Sequence, residues 1–482
     1  MLSKLKDKPR PAIGASWMRK RRVLRFYVAL LLVAGFTYKL WPRIEYIPEE
    51  PPTVIQNIPI ASSGVKCEPD LDVLRRLEVR KLSLYERREM IVARSSESNL
   101  PIRQRLNIPL LQQQSSSDEA RKLGLPSQDD CYIKPPVTVQ VPPSPANVDA
   151  SHIDFGVATT LERLNDSLDA FTHWAGYTRT RIFALIEPDE RVEEVQAKAD
   201  SLGINLFVTQ SEEEYLTRYF LLVAHLAKNM RPWTRWACII DDDTFFLSMA
   251  ALVDALAEYD HTKPMYIGGV SESVSQIGFF GLLGYGGAGV FLSRPLVQQL
   301  SNHDVFEACQ AMPHTGDRRI ALCIYQHTDT KLTVDYRLHQ LDMRGDVSGF
   351  FECGREPPLS VHHWKSWFQA DMAKLSVITN LCGDKCLLRQ WQFSDGWTLT
   401  NGFSIAKYST EIDVDDKTME LSWVGNKESF MHALGPLRPK DMGKFSYILE
   451  DSVFFGNQVR QWYVHRDAKN GDQIIELIWK TA

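Results

Sequence analysis

The sequence has no large excess of basic over acidic residues, or of acidic over basic ones. It also lacks the short glycine motifs that bind nucleotide phosphates. Its 482 residues include 55 Lys and Arg against 60 Asp and Glu, a formal net charge of −5. So mild a balance gives no sign of nucleic-acid binding, which depends on a strong basic excess. The glycine-dense stretch over residues 278–289 is not of the form G-x-G-x-x-G, and no phosphate-loop lysine follows it. These absences weigh against dinucleotide-binding and phosphate-loop proteins.

Cysteine is also scarce, with eight in the whole chain. Cys382 and Cys386 are close enough to close a small loop through a disulfide, or to supply half of a zinc site. No second pair with zinc-like spacing follows, which weighs against zinc. An even number of cysteines is compatible with disulfides in a lumenal protein, but the sequence does not determine which cysteines pair.

The N-terminal region has a basic segment followed by an apolar one. The first 25 residues carry many basic side chains against a single acid, Asp7, and residues 26–38 are uncharged and mostly apolar. This core is short for a bilayer span, which needs about 20 residues, but the flanking basic side chains can extend to the interface. A cleaved signal peptide is the alternative, although no small-residue cleavage site follows. We predict a cytosolic tail over residues 1–22, a type II signal anchor over 23–41 and a lumenal remainder.

Residues 42–149 have the composition of a linker. Prolines recur throughout, and the run over residues 112–117 is low in complexity. One helical stretch is predicted within this region, from about Leu71 to Val92. We predict a proline-rich stem that holds a folded unit away from the membrane.

From residue 151 the pattern changes to alternating strands and helices. Apolar runs predict strands, and apolar side chains three or four residues apart predict the helices between them. The predicted strands are His152–Thr159, Arg181–Ile186, Ile204–Val208, Trp236–Ile240, Met265–Gly269 and Val290–Leu292. This alternation predicts an α/β fold over residues 150–385, with a mostly parallel sheet flanked by helices. Short strands separated by turns then predict a small, mostly β accessory region over residues 386–482.

Three consecutive carboxylates, Asp241, Asp242 and Asp243, directly follow the apolar run Trp236–Ile240. Like charges side by side destabilise each other unless a cation neutralises them, and oxygen ligands at the end of a parallel strand suit Mg²⁺ or Mn²⁺. A metal held there can bind the diphosphate of a nucleotide-activated sugar, which indicates a metal-dependent sugar transferase. The alternative is a solvated acidic turn, as predicted for residues 413–416, which have a similar composition but no preceding strand.

Further candidates for donor binding lie at strand ends and in the glycine-dense stretch. Glycines let a backbone approach a ligand closely, although a flexible turn before a tightly packed strand is an equal alternative. The candidate donor-binding residues are Thr159, Thr160, Glu187, Asp242, Gly286, Gly287 and Ala288.

Taken in order, several segments are similar to the Fringe-like glycosyltransferases of family 31. The chain is most similar to the branch in which the run His339–Gly349 (HQLDMRGDVSG) precedes Leu359–His363 (LSVHH). The similarity covers roughly residues 150–370 and is specific because five motifs occur in the same order. They are Trp236–Thr244 with its acidic triplet, Tyr266–Gly269, Gly286–Gly289, an acid at position 317, and the pair His362–His363.

The resemblance implies a GT-A fold, a type II Golgi (or ER) topology, a UDP-sugar donor, Mn²⁺ (or Mg²⁺), and inversion at the anomeric carbon with a glycan or glycoprotein acceptor. It implies that Asp241 and Asp243 occupy the DxD positions and that Asp243 binds the metal directly. It also implies that His363 is the metal-binding histidine, with His362 as the alternative. Asp317 falls where the family has its catalytic base.

The chain departs from the family pattern near Asp317. Gly316 stands where the family has a second acid, and Ala321 replaces a family glycine. The alternative to a catalytic role for Asp317 is an ordinary aspartate in a loop or at a helix cap. The alternative to metal binding by the two histidines is an ordinary half-buried cluster of histidine and tryptophan side chains.

Two other functions compete with the transferase. A phosphatase of the haloacid dehalogenase type also places a DxD motif after a strand, but it wants Thr or Val at the position of Phe245. The second alternative is a non-catalytic glycan-binding protein on the same fold. Gly316 and Ala321 leave this alternative open, because they depart from the family pattern near the catalytic position.

Overall fold

The computed structural model describes residues 69–111, 135–145, 148–314 and 316–482. The predicted tail and signal anchor, residues 1–22 and 23–41, lie outside this part of the chain. Within the described ranges, no helix is both long and apolar enough to cross a membrane.

The strands fall into two large sheets and two small ones. In chain order they are β1 (Leu82–Arg94), β2 (Arg103–Arg105), β3 (Val137–Val141), β4 (Ile153–Thr159), β5 (Arg181–Ile186), β6 (Asn205–Gln210), β7 (Trp236–Ile240), β8 (Phe245–Phe246), β9 (Tyr266–Gly268), β10 (Val290–Ser293), β11 (Leu332–Val334), β12 (Ser360–Val361), β13 (Gln390–Gln392), β14 (Trp397–Thr400), β15 (Ser404–Lys407), β16 (Met419–Glu420), β17 (Leu437–Arg438), β18 (Phe445–Phe455), β19 (Gln458–His465) and β20 (Asp472–Thr481).

The helices lie mainly between the strands of the first half. They are α1 (Leu71–Arg76), α2 (Leu161–Ala175), α3 (Val192–Ser201), α4 (Tyr215–Asn229), α5 (Met249–Ala257), α6 (Val274–Phe280), α7 (Arg294–Leu300), α8 (His303–Gln310), α9 (Gly316–His327), α10 (Ser348–Phe351), α11 (Met372–Ser376), α12 (Thr379–Cys382) and α13 (Met431–Leu434), with short 3₁₀ turns at Gly286–Ala288, Asp384–Cys386 and Lys427–Phe430.

The seven-stranded sheet has the order β11-β9-β10-β7-β4-β5-β6. Strands β7, β4, β5 and β6 run parallel, as the sequence predicts, and β10 runs antiparallel to both of its neighbours. All five residues of β7 are buried, which explains its continuous apolar sequence. Because β4, β5 and β7 are parallel, their carboxyl ends lie at the same edge of the sheet. The candidate site residues follow these strand ends.

Helices α2 and α4 pack in different hydrophobic clusters, as expected for helices on the two faces of this sheet. Helix α2 begins after Thr160, whose hydroxyl accepts a hydrogen bond from the Arg163 backbone N–H at 3.2 Å and so satisfies a free helix donor. On the other face, α4 approaches β4 so closely that a Cβ on Gly156 would lie 2.9 Å from Leu226. The predicted α/β arrangement is thus a mixed sheet covered by helices.

The nine-stranded sheet has the order β2-β13-β14-β15-β18-β19-β20-β1-β3 and contains the predicted C-terminal strands. It is not a small appendage, because its buried Trp391 and Trp479 belong to the same hydrophobic cluster as Phe155 and Trp174 near the first sheet. Three of its strands, β1 to β3, come from the region predicted as a stem. The described part of residues 42–149 is therefore folded into this sheet rather than extended as a linker.

The helix predicted from Leu71 to Val92 ends at Arg76, and the remainder from Leu82 is strand β1. The run is rich in Leu, Glu and Arg, which favour helices in isolation. In the fold it pairs with β20 on one side and β3 on the other. Buried Glu476 of β20 accepts hydrogen bonds from Tyr85 at 2.8 Å and Arg87 at 2.6 Å, so a residue distant in sequence satisfies these two polar side chains of β1.

Two disulfides lie in the described residues. Cys382 and Cys386 are bonded to each other, which realises the small loop considered from the sequence, and Cys309 is bonded to Cys323. The second bond joins α8 to α9, the helix that carries Asp317 in its first turn.

Candidate functional site

The acidic triplet follows β7 in a turn with fixed geometry. Thr244 Oγ1 accepts a hydrogen bond from the Asp241 backbone N–H at 3.1 Å and donates to the Gly287 carbonyl at 3.0 Å. Asp242 and Asp243 are buried, whereas Asp241 keeps part of its side chain exposed. The triplet is therefore no solvated turn. Residues 413–416, in contrast, form a largely exposed turn closed by the Asp416 N–H on the Asp413 carbonyl at 3.1 Å.

His362 lies against two of these carboxylates. Its Nε2 is 2.9 Å from Asp243 Oδ1 and 3.2 Å from Asp241 Oδ2. The pairing of β12 with β8, in which Val361 lies opposite Phe245, brings the two motifs together. Burial alone would lower the pKa of His362, but the Asp243 charge and hydrogen bonds to both carboxylates raise it to about 10. Burial likewise opposes ionisation of Asp243, yet the nearby His362 holds the pKa of that carboxyl well below its usual range.

His363 completes the cluster from the next position. Its ring stacks on Trp367, with centroids 4.0 Å apart, and its Nε2 lies 3.1 Å from Asp342 Oδ1. Its backbone φ of 63° is unusual for a residue other than glycine. Burial lowers the pKa of His363, which favours the neutral imidazole that binds metals.

Asp243, His362 and His363 fit a divalent metal. Each offers one ligand atom, and these atoms lie within 4.8 Å of one another. One carboxylate oxygen and two imidazole nitrogens form a mixed donor set that Mn²⁺ accepts. With its raised pKa, His362 carries a proton on both ring nitrogens when no metal is bound, and its Nδ1 is buried without a hydrogen-bond partner among the described residues. Both histidines were candidate metal ligands from the sequence, and both lie close to Asp243 in the structure.

Asp317 lies half-buried in the first turn of α9, within reach of the charges of Asp241 and His362. Its Oδ1 accepts a hydrogen bond from the buried Tyr219 of α4. Burial and the negative charge of Asp241 raise the pKa of Asp317 to about 6, against the opposing effects of Tyr219, the Gly286 backbone and His362. A carboxyl with this pKa can accept and release a proton near neutral pH.

The turn Gly286–Ala288 lies between Asp317 and the metal cluster, and its two glycines leave no space for a side chain. A Cβ on Gly286 would lie 1.7 Å from the Tyr219 hydroxyl oxygen, and one on Gly287 would lie 2.1 Å from His362 Nδ1. Any residue larger than glycine at these two positions would therefore clash with Tyr219 or His362. The sequence suggested close approach of this backbone to a ligand, whereas the structure shows close approach to the side chains of the site.

Of the other candidate donor-binding residues, Thr159 contacts the carboxylate of Asp242. Arg163 makes a two-point contact with its carboxylate, at 2.8 Å from Nε and 2.5 Å from Nη2, and Thr159 donates a hydrogen bond to it. Thr160 caps α2, as described above. Glu187 is paired with Arg218 at 2.8 Å, and that arginine also reaches the Thr159 carbonyl.

Several site residues were not singled out from the sequence. Arg163, Tyr219 and Lys365 lie among ordinary polar and aromatic residues, and no local pattern marks them. Lys365 Nζ donates to Ser167 Oγ at 2.6 Å, and Ser167 donates in turn to the Asp242 carbonyl at 2.7 Å. Asp342 did carry a signal, because it lies within the segment His339–Gly349 that supports the family resemblance.

Comparisons with known proteins agree with the family suggested by the sequence. Residues 171–368 match the family model described as Fringe-like. This span includes the acidic triplet, Asp317 and both histidines of the site. The match supports a glycosyltransferase. No curated protein sequence matches the chain.

Similar solved structures are distant. They include glycosyltransferase GlyE of Streptococcus pneumoniae TIGR4, at 12% identity over 48% of this chain and 59% of that one, with a TM-score of 0.32. TarS of S. aureus in complex with UDP-GlcNAc is 14% identical over 38% of this chain and 55% of that one, with a TM-score of 0.27. Mouse xyloside xylosyltransferase 1 is 11% identical over 44% of this chain and 96% of that one, with a TM-score of 0.30. The chain thus covers less than two thirds of the first two proteins.

Proposed function

We propose that this chain, whose residues 171–368 form a Fringe-like domain, is a metal-dependent inverting glycosyltransferase. It moves a sugar from a UDP-sugar to a hydroxyl of a glycan or glycoprotein acceptor and makes a β-linkage. The proposal includes a type II membrane anchor over residues 23–41 and a lumenal site in the Golgi or ER.

One observation carries the proposal: two different chemical functions lie close together, since Gly286 lies against Asp317 and Gly287 lies against His362. Asp243, His362 and His363 are gathered within metal-binding distance. Asp317 lies half-buried nearby, close enough for Asp241 to influence its pKa. An inverting displacement needs both a neutralised leaving group and a base for the acceptor hydroxyl. The three metal-binding residues without Asp317 would favour a simple metal site. Asp317 without the metal-binding residues would favour a structural aspartate.

Asp317 is the proposed base. Its carboxylate accepts the proton of the acceptor hydroxyl while that oxygen attacks the anomeric carbon from the side opposite the diphosphate. Tyr219 donates a hydrogen bond to Oδ1 of Asp317 and so orients the carboxylate. General-base catalysis of this kind contributes about 10²–10⁴-fold in rate. One carboxylate is sufficient for this step, so Gly316 in place of a second acid does not prevent it.

The residues around Asp243 are proposed to hold the metal and the donor. A divalent ion bound by Asp243 with His362 and His363 would neutralise charge on the departing UDP. Asp242, fixed by Arg163 and Thr159, would bind the nucleotide side of the donor, next to Glu187. Arg163 carries a positive charge beside the acidic triplet and would offset the charge of the diphosphate as well.

A panel of nucleotide sugars tests this function. The purified full chain is incubated with UDP-, GDP- and CMP-sugars and MnCl₂, and release of the nucleotide is measured with and without EDTA. We expect release of UDP only, and its loss with EDTA. Release of GDP or CMP would contradict the donor assignment. Nucleotide binding without any release would favour the glycan-binding protein, and hydrolysis of simple phosphate monoesters would favour the phosphatase.

A further inference from the structure

Residues 339–349, which carry part of the family resemblance, contact one of the candidate metal ligands. Asp342 Oδ1 lies 3.1 Å from His363 Nε2, with only 5% of the Asp342 side chain exposed. The other oxygen of Asp342 accepts a hydrogen bond from Ser271 Oγ at 2.5 Å, so the carboxylate is held on both sides. Among the described residues, three offer ligand atoms within 4.8 Å of one another, and Asp342 is not one of them. It therefore contacts His363 from outside the metal cluster.

This contact determines which nitrogen of His363 carries a proton. An ionised carboxylate can only accept a hydrogen bond, so the Nε2 of His363 carries the hydrogen that faces Asp342. Gln340 Nε2 also lies near this nitrogen, but at 3.5 Å it is farther away than the carboxylate and makes the weaker contact. The lone pair of the neutral imidazole is then on Nδ1, which is the nitrogen that remains for a metal.

The Nδ1 of His363 lies on the side of the metal cluster. Ser366 Oγ is 3.4 Å from this nitrogen and 3.3 Å from Asp243 Oδ2. The hydroxyl has one hydrogen, so Nδ1 and the Asp243 oxygen are two acceptors beside a single donor. Two acceptors that share one hydrogen are also atoms that can share a divalent cation.

Trp367 fixes the plane of the same imidazole. The His363 and Trp367 rings are stacked, with centroids 4.0 Å apart and 2° between their planes. The guanidinium of Arg344 lies 4.4 Å from the Trp367 ring centroid, and the Gly345 backbone N–H donates to the Trp367 carbonyl at 3.0 Å. Residues 342–345 therefore contact both the His363 ring and the tryptophan that supports it.

We propose that Asp342 and Trp367 are positioning residues, which orient His363 so that its Nδ1 is the atom that binds the metal. A carboxylate behind a metal-binding histidine fixes the tautomer and increases the basicity of the ligand, and a stacked ring restricts rotation of the imidazole. The inference rests on the proposed metal-dependent function and gives residues 342–345 a part in it.

The Mn²⁺ affinity of the full chain without any nucleotide tests the positioning role. Electron paramagnetic resonance measures free Mn²⁺ and so gives the Kd of the native chain and of each variant. Asp342→Asn should weaken Mn²⁺ binding by about 10–100-fold, the usual cost of losing a hydrogen-bond partner behind a metal ligand. Trp367→Leu should also weaken it, whereas Trp367→Phe keeps a ring that can stack and should bind Mn²⁺ as the native chain does.

The chain offers a matched control for each change. Asp346→Asn alters the same segment, at an aspartate that pairs with Lys440 at 2.9 Å. Trp233→Leu removes another tryptophan with an arginine over its ring, since the Arg231 guanidinium lies 5.4 Å from the Trp233 centroid at the opposite end of β7 from the acidic triplet. Both controls should keep the native Kd. If they weaken Mn²⁺ binding as much as Asp342→Asn and Trp367→Leu, the effect is general and the inference is wrong.

Two replacements of His363 test which nitrogen binds the metal. The amide oxygen of asparagine can take the position of Nδ1, and that of glutamine can take the position of Nε2. Carbonyl oxygens suit Mn²⁺. We therefore expect His363→Asn to retain more Mn²⁺ affinity than His363→Gln. Equal losses, or the reverse order, would overturn the assignment of Nδ1. Thermal unfolding without metal checks that both variants are folded.

Other results separate this inference from the proposed function. If Asp342→Asn binds Mn²⁺ with the native Kd while UDP release still requires the metal, the transferase stands and the inference is wrong. If the native chain binds Mn²⁺ but uses no nucleotide sugar, the proposed function is wrong, and the Kd values of the variants still decide the inference. A native chain that binds no Mn²⁺ overturns the inference outright.

Discussion

His362 Nε2 lies 2.9 Å from Asp243 Oδ1 and joins two motifs that are far apart in the sequence. The short antiparallel pairing of β8 and β12 produces this contact by placing Val361 opposite Phe245. In the absence of a metal, the contact neutralises the buried acid, because the pKa of His362 is raised to about 10 by the Asp243 charge and by hydrogen bonds to both acids, which outweigh burial. The same atoms are the ones that a divalent cation would bind.

Asp317→Asn should lower kcat by about 10²–10⁴-fold, the usual contribution of a general base. The amide keeps the size of the side chain but cannot accept the acceptor proton. Donor binding should change little, because Asp317 is not in the metal cluster. Single-turnover transfer and calorimetric binding of the UDP-sugar measure the two properties, and Asp304→Asn at the start of α8 serves as a control. A simultaneous loss of donor binding would instead indicate a structural role.

Activity should fall as the pH decreases through about 6. Burial and the charge of Asp241 raise the pKa of Asp317 to about 6, and only the deprotonated carboxylate can act as the base. The plot of kcat/KM against pH should therefore rise from pH 5 and level off above pH 7. A profile that is flat over this range would exclude Asp317 as the base.

Tyr219→Phe should move this acid limb to higher pH. The hydrogen bond from Tyr219 favours the charged form of Asp317 and lowers its pKa, so its removal raises the pKa further. We also expect a lower kcat, because the carboxylate loses its fixed orientation, with little change in KM for the donor. Tyr463→Phe, which removes a buried hydroxyl in the nine-stranded sheet, should leave the profile where it is. An unshifted profile in Tyr219→Phe would refute the positioning role.

Gly287→Ala should reduce UDP release by about 100-fold, since displacement of a site group by about 1 Å can cost this much. The added Cβ would lie 2.1 Å from His362 Nδ1, so the imidazole must move away from Asp243. Gly278→Ala is the matched control, because a Cβ there meets nothing within 4 Å. Similar activities for the two variants would show that the position of His362 is unimportant. Thermal unfolding of both variants checks that they are folded.

The elements around the site were predictable because local sequence determines them. Strands β5 and β7 match the predicted ranges Arg181–Ile186 and Trp236–Ile240, since β7 and all of β5 after Arg181 are apolar runs buried on both faces. Thr160 also stands where a helix cap is favoured. The acidic triplet could be located for the same reason, because it directly follows the strand that carries it.

Other features depend on partners that are distant in sequence. Strand β1 resembles a helix by composition, and its partners β20 and β3 lie in other parts of the chain. The same holds for Arg163, which contacts Asp242 from a helix with no marked motif, and for Tyr219, which reaches Asp317 across α4 and α9. A single sequence gives no signal for such pairs, because any arginine or tyrosine of an amphipathic helix has a similar local pattern.

Calorimetric titration of UDP into the full chain, with and without MnCl₂, tests the central claim most directly. The native chain and Asp413→Asn, altered in the exposed acidic turn, should bind UDP only when Mn²⁺ is present, and Asp243→Asn should bind it in neither condition. Equal UDP binding with and without the metal, or Mn²⁺-dependent binding that survives in Asp243→Asn, would contradict the account.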